Sequence, residues 1–150
     1  MLENAILVTG AGRRVGNHLA MRLHQEGHTV LAHYRTHTPE IQALEDMGVH
    51  LIQSDFTNSQ TILAFVEQLK QQCLSLRAII HNASSFEATS NDLVEAAAQY
   101  EQFFNVHMMA PFLISEGLKS LLLVNEEVPA DIVHITDINV ENPTPKFDIY

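Results

Sequence analysis

The chain has 150 residues, of which 46% are hydrophobic and 17% charged, a composition that is ordinary for one globular domain and argues against disorder. With 18 acidic against 8 basic residues the formal charge is −10, and the basic residues form no run, which disfavours nucleic acid and anionic membranes as partners. A single cysteine excludes an internal disulfide, and no leader and no apolar run of about 20 residues is present, so we expect a cytoplasmic protein.

Short apolar runs alternate with helical patterns along the chain, which is typical of a parallel sheet covered by helices. Strands are predicted at 5–8, 29–34, 50–54, 78–81 and 131–136. Helices are predicted at 15–26, at 39–47 and after a cap at Asn58. A further helical stretch covers 93–104 and continues to about 124. Pro111 within it marks a kink or a restart. Thr38 and Pro39 have the residue types of an N-cap and a first helical position, and Gly27 and Gly48 those of helix stops.

These elements predict one α/β domain, a doubly wound parallel sheet of the Rossmann type. Right-handed crossovers place the five strands in the order 3-2-1-4-5. A ligand crevice is then expected at the carboxyl ends of strands 1 and 4, where the strand order reverses.

The segment between the first strand and the first helix reads Thr-Gly-Ala-Gly-Arg-Arg-Val-Gly, residues 9–16. Glycines at 10, 12 and 16 let the backbone turn sharply, approach a pyrophosphate and pack helix against strand, and the helix N-terminus offers free N–H groups to the anion. The spacing is one residue longer than the standard dinucleotide fingerprint. Taken alone, it leaves a chance glycine turn open as the alternative.

The end of the second strand indicates the type of nucleotide. An NAD-selective site places an acidic residue there to bind the ribose hydroxyls, whereas this chain has Tyr34, Arg35 and Thr36. A guanidinium and a hydroxyl favour the 2′-phosphate of NADPH, and Arg13 is placed to reach the same phosphate. The alternative for both arginines is an ordinary solvated surface position.

Several motifs in order resemble the short-chain dehydrogenase/reductase superfamily: Thr9-Gly10 with Gly16, Asp55 after the third strand, 81–84 after the fourth, and Tyr150 thirteen residues beyond Asp137. Within it the chain is most similar to the pteridine reductases, above all to bacterial enzymes that reduce dihydromonapterin. The features specific to that branch are Arg14 in place of a glycine, Asn-Ala-Ser-Ser-Phe at 82–86 and Asp137 in place of the catalytic serine.

The resemblance implies a cofactor site for NADPH. Asp55 would accept a hydrogen bond from the adenine amine, although an aspartate there equally suits a turn that caps the next helix. Asn82 would lie beside the cofactor, and its amide equally suits tying neighbouring backbone together. The full set of implied cofactor residues is Gly10, Gly12, Arg13, Arg14, Val15, Gly16, Tyr34, Arg35, Thr36, Asp55, Phe56, Asn82, Ala83 and Ser84.

On the substrate side, the resemblance implies that Phe86 stacks on a pterin, with a buried core phenylalanine as the alternative, and that Ser84 reaches the pterin or a cofactor phosphate. Tyr150 would be the proton donor. A carboxylate at Asp137 suits a substrate rich in N–H donors, which a pterin is and a ketone is not. His107 stands where the superfamily has an asparagine that helps to hold a proton-relay water.

We therefore expect an NADPH-dependent reductase of 7,8-dihydromonapterin, with dihydrofolate as a further substrate, that assembles as a homodimer or homotetramer. A short-chain carbonyl reductase, for example of a 3-oxoacyl thioester, and a catalytically silent nucleotide-binding module are the alternatives. The lysine expected four residues after Tyr150, the C-terminal strands and the substrate loop are not in the sequence, so residues 1–150 alone are expected to be inactive. His24 and His28 lack the His-Glu-x-x-His spacing, and no metal is expected.

Overall fold

The computed structural model describes residues 1–122, 129–142, 144–147 and 149. Its centre is a five-stranded sheet in the order β3-β2-β1-β4-β5, in which every neighbouring pair is parallel. This confirms the predicted strand order and the α/β class. The strands are β1 Ala5–Val8, β2 Val30–Tyr34, β3 His50–Gln53, β4 Leu76–His81 and β5 Asp131–His134.

Helices follow the first four strands. They are α1 Arg14–Gln25, α2 Pro39–Asp46, α3 Ser59–Gln72, α4 Leu93–Phe104, α5 Ala110–Gly117 and α6 Lys119–Leu122. Both predicted caps are confirmed, because Thr38 Oγ1 accepts from the Ile41 N–H at 3.3 Å and Asn58 Oδ1 accepts from the Gln60 N–H at 2.8 Å. Short 3₁₀ turns lie at Ile138–Val140 and Pro145–Phe147.

In the middle of the sheet, β1 and β2 bury side chains on both faces, as a doubly wound fold requires. Alternate side chains of β1 enter two separate apolar clusters. Ala5 and Leu7 pack with residues of α3 and α5, whereas Ile6 and Val8 pack with residues of α1 and α2. β1 is buried along its whole length, so apolar residues occupy every position and do not alternate with polar ones, as the sequence indicated.

The helical stretch around Pro111 differs from the prediction. The chain remains helical through the proline, and the irregularity lies one turn earlier, in a π-helix at Asn105–Met109. Proline has no N–H for the carbonyl four residues back and its ring crowds that carbonyl, and a wider turn relieves both effects. The actual break comes at Leu118, between α5 and α6. The predicted end near residue 124 lies outside the described residues.

Two strand boundaries differ from the sequence prediction by two residues each, whereas the start of β2 and the end of β3 differ by one. β4 begins at Leu76 and not at 78, and β5 ends at His134 and not at 136. The last bond of the β4–β5 ladder runs from the Ile135 N–H to the His81 carbonyl, at 3.0 Å. β4 ends there, and the chain turns toward residues 9–16, the glycine loop. β5 lies at one edge of the sheet, and all four of its residues are exposed.

Candidate functional site

A crevice of about 480 Å³ opens at the carboxyl ends of the strands, where the sequence analysis placed it. Most of the predicted site residues line it: Gly10, Gly12, Arg13, Arg14, Val15, Gly16, Arg35, Thr36, Asp55, Phe56, Asn82, Ala83, Ser84, Phe86 and Asp137. Tyr34 and His107 are not among the lining residues, and Tyr150 lies outside the described residues. The lining residues that sequence reasoning did not single out are His33, Thr38, Ser85, Val106, Ile135 and Thr136.

The three glycines of the loop have different surroundings. Gly10 has a φ of +70°, and a Cβ there would lie 2.6 Å from the Ala83 Cα. A Cβ at Gly16 would overlap the Asn82 amide and the Gly10 carbonyl. A Cβ at Gly12, in contrast, would meet no heavy atom within 4 Å. Close packing therefore requires two of the glycines, whereas the third opens onto the crevice, as expected where a phosphate group must approach the backbone.

Arg14 begins α1 with a φ of +51°, a left-handed conformation that favours glycine. The superfamily pattern has a glycine at this position, so the structure explains that preference. Strained residues of this kind concentrate at binding sites. Arg14 also lines the crevice.

Asn82 ties β4 to the glycine loop. Its Nδ2 donates to the carbonyls of Thr9 and Gly10, both at 3.0 Å, and its backbone N–H donates to Thr9 Oγ1 at 3.0 Å. The proposed structural role of this amide is confirmed. Because Asn82 also lines the crevice, its role beside a cofactor stays open as well.

His33 supports the same loop from β2. The Gly10 N–H donates to His33 Nδ1 at 3.1 Å, so the proton resides on Nε2, which lies 3.1 Å from the Ser54 carbonyl. The ring stacks on Phe56 with centroids 3.9 Å apart, and burial lowers the pKa of His33 to about 4. A histidine inside an apolar strand is a sequence signal for a structural role. Its partners could not be predicted from that signal, because they are distant in sequence.

The lysine and arginine residues fall into groups with different surroundings. Three of the 8, Arg13, Arg14 and Arg35, line the crevice, and in the part of the chain that the structure describes none of the three pairs with a carboxylate. Lys146 lies 5.7 Å over the ring of Phe147. The other four form ion pairs with carboxylates: Arg22–Glu26, Lys70–Glu67, Arg77–Asp131 and Lys119–Glu116. A chain with a charge of −10 thus keeps three unpaired guanidinium groups around one crevice.

Asp55 makes a turn before α3, one of the two roles that the sequence predicts for it. Its Oδ1 accepts from the Thr57 N–H at 3.0 Å, while the cap of α3 itself is Asn58. Asp55 also lines the crevice, so a contact with an adenine stays a prediction. Tyr34 points elsewhere, with its ring edge-on to His37 at a centroid distance of 5.9 Å.

Phe86 and Asp137 also line the crevice. Phe86 is 54% exposed and stacks on Phe147 with centroids 4.4 Å apart, so the alternative of a core phenylalanine is wrong. Asp137 Oδ1 accepts from the backbone N–H of Asn139 at 2.9 Å and from its side-chain amide at 3.0 Å. The Asp137 carboxylate therefore caps a short turn at the edge of the crevice.

His107 lies in the π-helical turn and faces the residues after β4. Its Nε2 accepts from the Ser85 N–H at 3.1 Å and lies 3.1 Å from Ser84 Oγ. Burial lowers the pKa of His107, which favours the neutral imidazole that these contacts need.

The comparisons with known proteins agree with this geometry. The profile described as short chain dehydrogenase matches residues 4–150, and the chain belongs to that family. It is 39% identical over 145 residues to the dihydromonapterin reductase of Klebsiella pneumoniae, covering 97% of this chain and 60% of that protein. Proteins of the same name from Citrobacter koseri and Escherichia coli K12 are 37% and 35% identical, each over 97% of this chain and 60% of the relative.

The chain thus spans about 60% of the length of the curated relatives it matches. In the described part of the chain, we find no helix with the length and apolar character needed to cross a membrane.

Proposed function

We propose that the protein is an NADPH-dependent reductase of a dihydropterin ring, with 7,8-dihydromonapterin as its substrate and dihydrofolate as a further one. The main support is a crevice beside the glycine loop that is lined by three arginines, none of which pairs with a carboxylate among the described residues. The name shared by the relatives at 35–39% identity supports the choice of substrate.

The residues on the nucleotide side fit a dinucleotide phosphate. Gly12 leaves room for the pyrophosphate to approach the backbone at the N-terminus of α1. Arg35 and Arg13 would hold the 2′-phosphate, because a planar guanidinium matches the geometry of a phosphate. Thr36 would add a hydroxyl donor, and Asp55 would accept from the adenine amine.

The substrate side fits a flat, nitrogen-rich ring. Phe86, which is 54% exposed, would stack on the pterin, and Asp137 would accept hydrogen bonds from the N–H groups of the pterin. Ser84 would donate to the pterin or a phosphate, and Tyr150 would supply the proton. The nicotinamide of bound NADPH supplies the hydride.

Three further features belong to this proposal. The protein assembles as a homodimer or homotetramer, works in the cytoplasm and needs no metal. In the part of the chain that the structure describes, no three histidine, cysteine or carboxylate side chains are placed to hold a metal ion. His24 Nε2 instead lies 2.9 Å from the Met47 carbonyl, which joins the ends of α1 and α2.

Arg35→Asp tests the cofactor assignment in the whole protein that carries this chain. The wild type should bind NADPH more tightly than NADH, and the variant should lose that preference, since a charge-assisted phosphate contact contributes about 1.5–3 kcal/mol, roughly tenfold to hundredfold in Kd. Fluorescence titration with both nucleotides measures the ratio.

The matched control is Arg22→Asp, which changes the charge by the same amount on α1, in an exposed ion pair outside the crevice lining. It should leave the ratio of the two Kd values unchanged. An unchanged ratio in Arg35→Asp, or a wild type that prefers NADH, would show that Arg35 does not bind the 2′-phosphate.

A further inference from the structure

The connection from β4 to α4, residues 82–92, contains no helix or strand. It nevertheless carries Ser84 and Phe86, two of the side chains proposed above to contact the substrate. A segment without backbone ladder bonds keeps a fixed shape only if contacts with other parts of the chain hold it. One of these is a backbone bond from the Thr89 N–H to the Lys146 carbonyl at 3.1 Å, and several others are made by side chains. The contacts of this segment therefore decide how well the substrate side is organised.

The far end of the segment is held by α4. Gln99 donates from Nε2 to the Ala88 carbonyl at 3.0 Å, and its Oε1 accepts from the Ser90 N–H at 2.8 Å. Ser90 Oγ also donates to Glu95 Oε2 at 2.7 Å. The beginning of the segment is held by Asn82, through its bonds to the glycine loop.

The middle of the segment is held by His107. Its Nε2 accepts from the Ser85 N–H at 3.1 Å and lies 3.1 Å from Ser84 Oγ. A backbone N–H can donate only to an unprotonated ring nitrogen, so Nε2 is an acceptor and the ring is neutral. One imidazole atom thus fixes the two residues that precede Phe86.

The position of His107 in a π-helix is part of this arrangement. A π turn contains one more residue than an α turn and so changes the direction in which its side chains leave the helix. Val106, in the same turn, is buried and lines the crevice. The turn thus directs consecutive residues toward the crevice and toward the β4–α4 connection.

We infer that His107 is a positioning residue, whose Nε2 holds Ser84 and Ser85, and with them Phe86, in place at the substrate side of the crevice. The inference rests on the proposed reductase function and gives His107 a role different from holding a proton-relay water. An asparagine, the residue of the superfamily pattern, is too short to reach where Nε2 lies. The carboxamide of a glutamine reaches that point.

His107→Asn and His107→Gln in the whole protein therefore separate the two roles, with Gln99→Ala as a control at the far end of the same segment. Hydrogen exchange of the Ser85 amide reports the contact directly. Steady-state kinetics with 7,8-dihydromonapterin report its effect on the substrate. Positioning predicts a change in KM, whereas a relay predicts a change in kcat.

In His107→Asn we expect Ser85 exchange to rise and KM to rise roughly three- to tenfold, the size of one lost hydrogen bond, with kcat nearly constant. His107→Gln should restore most of the Ser85 protection and of the KM. Gln99→Ala should speed exchange at Ser90 and leave Ser85 protected.

Retained Ser85 protection in His107→Asn would overturn the inference. So would an asparagine variant that keeps full activity while the glutamine variant loses kcat, which is the pattern of a relay. If the wild type reduces no dihydropterin, the proposed function fails by itself, and exchange at Ser85 still decides the role of His107.

Discussion

Two buried histidines are held in the neutral form within the sheet. His33 on β2 accepts from Gly10 and lies against the Ser54 carbonyl, and burial lowers its pKa to about 4. His81 on β4 contacts Ser115 Oγ at 2.9 Å, and burial and the neighbouring His134 lower its pKa to about 4 as well. Both groups link the stability of the fold to pH.

The direction of this linkage follows from the lowered pKa values. Below about pH 6.5 the unfolded chain protonates these histidines while the folded chain does not, so the free energy of unfolding falls as the pH falls toward 4. Each histidine contributes roughly 1.4 kcal/mol per pH unit within that window. Above about pH 6.5 the contribution of these histidines to the free energy of unfolding is fully present.

His33→Asn should reduce the pH dependence of the free energy of unfolding by about one proton. The asparagine oxygen can still accept a hydrogen bond from the Gly10 N–H. Denaturant unfolding at pH 6 and pH 5 measures the slope, which does not depend on the absolute stability of the variant. His81→Asn should give a reduction of the same size. An identical slope in the wild type and both variants would show that neither ring is buried as a neutral base.

At the scale of elements, the glycine loop between β1 and α1 offers a matched pair of substitutions. Gly16→Ala places a methyl group against Asn82 and Gly10, and such overpacking costs about 1–3 kcal/mol of stability. Gly12→Ala places the same methyl group in open space at the crevice. It should leave the melting temperature nearly unchanged and weaken NADPH binding.

Thermal unfolding and NADPH titration of the two variants check this pair. Equal losses of stability in both would mean that the loop is packed differently from the structure. Undiminished NADPH affinity in Gly12→Ala would mean that the pyrophosphate lies elsewhere.

The sequence predicted these elements well wherever a local rule applies. The caps at Thr38 and Asn58, the stop at Gly48 and the strand order follow from residue types and spacing along the chain. The π turn before Pro111 was predicted only as a kink or a restart of the helix, because proline excludes a regular bond without determining which wider turn replaces it.

The residues of the candidate site, like the helices and strands, were predictable where a local rule applies. Glycines and arginines mark a phosphate site through their own chemistry. The contacts of His33 with Gly10 and of His107 with Ser85 join residues 23 and 22 positions apart. Such contacts depend on how the sheet brings strand ends together, which no local pattern contains.

At the scale of the whole molecule, one helix face remains exposed and apolar. Successive turns from α4 to α5 present Leu93, Tyr100, Phe104, Met108 and Phe112, which are 86%, 60%, 46%, 62% and 62% exposed. A continuous apolar stripe of this kind is typical of an interface. We expect the second copy of the proposed homo-oligomer to pack against it.

Phe112→Glu should therefore dissociate the assembly, since an interface carboxylate without a partner loses its hydration. Light scattering of the whole protein measures the molar mass. Leu63→Glu, at a residue of α3 that is 51% exposed, is the control and should leave the mass unchanged. A monomeric wild type, or an unchanged mass in Phe112→Glu, would contradict the placement of the interface on this stripe.

We propose that this crevice serves reduction of a dihydropterin. The most direct test is NADPH oxidation by the whole protein with 7,8-dihydromonapterin and, in parallel, with an acetoacetyl thioester. We predict that kcat/KM for the dihydropterin is at least tenfold higher, because Phe86 and Asp137 suit a flat ring rich in N–H groups. A preference for the thioester would instead indicate a carbonyl reductase, and NADPH binding without turnover of either substrate would indicate a silent nucleotide-binding protein.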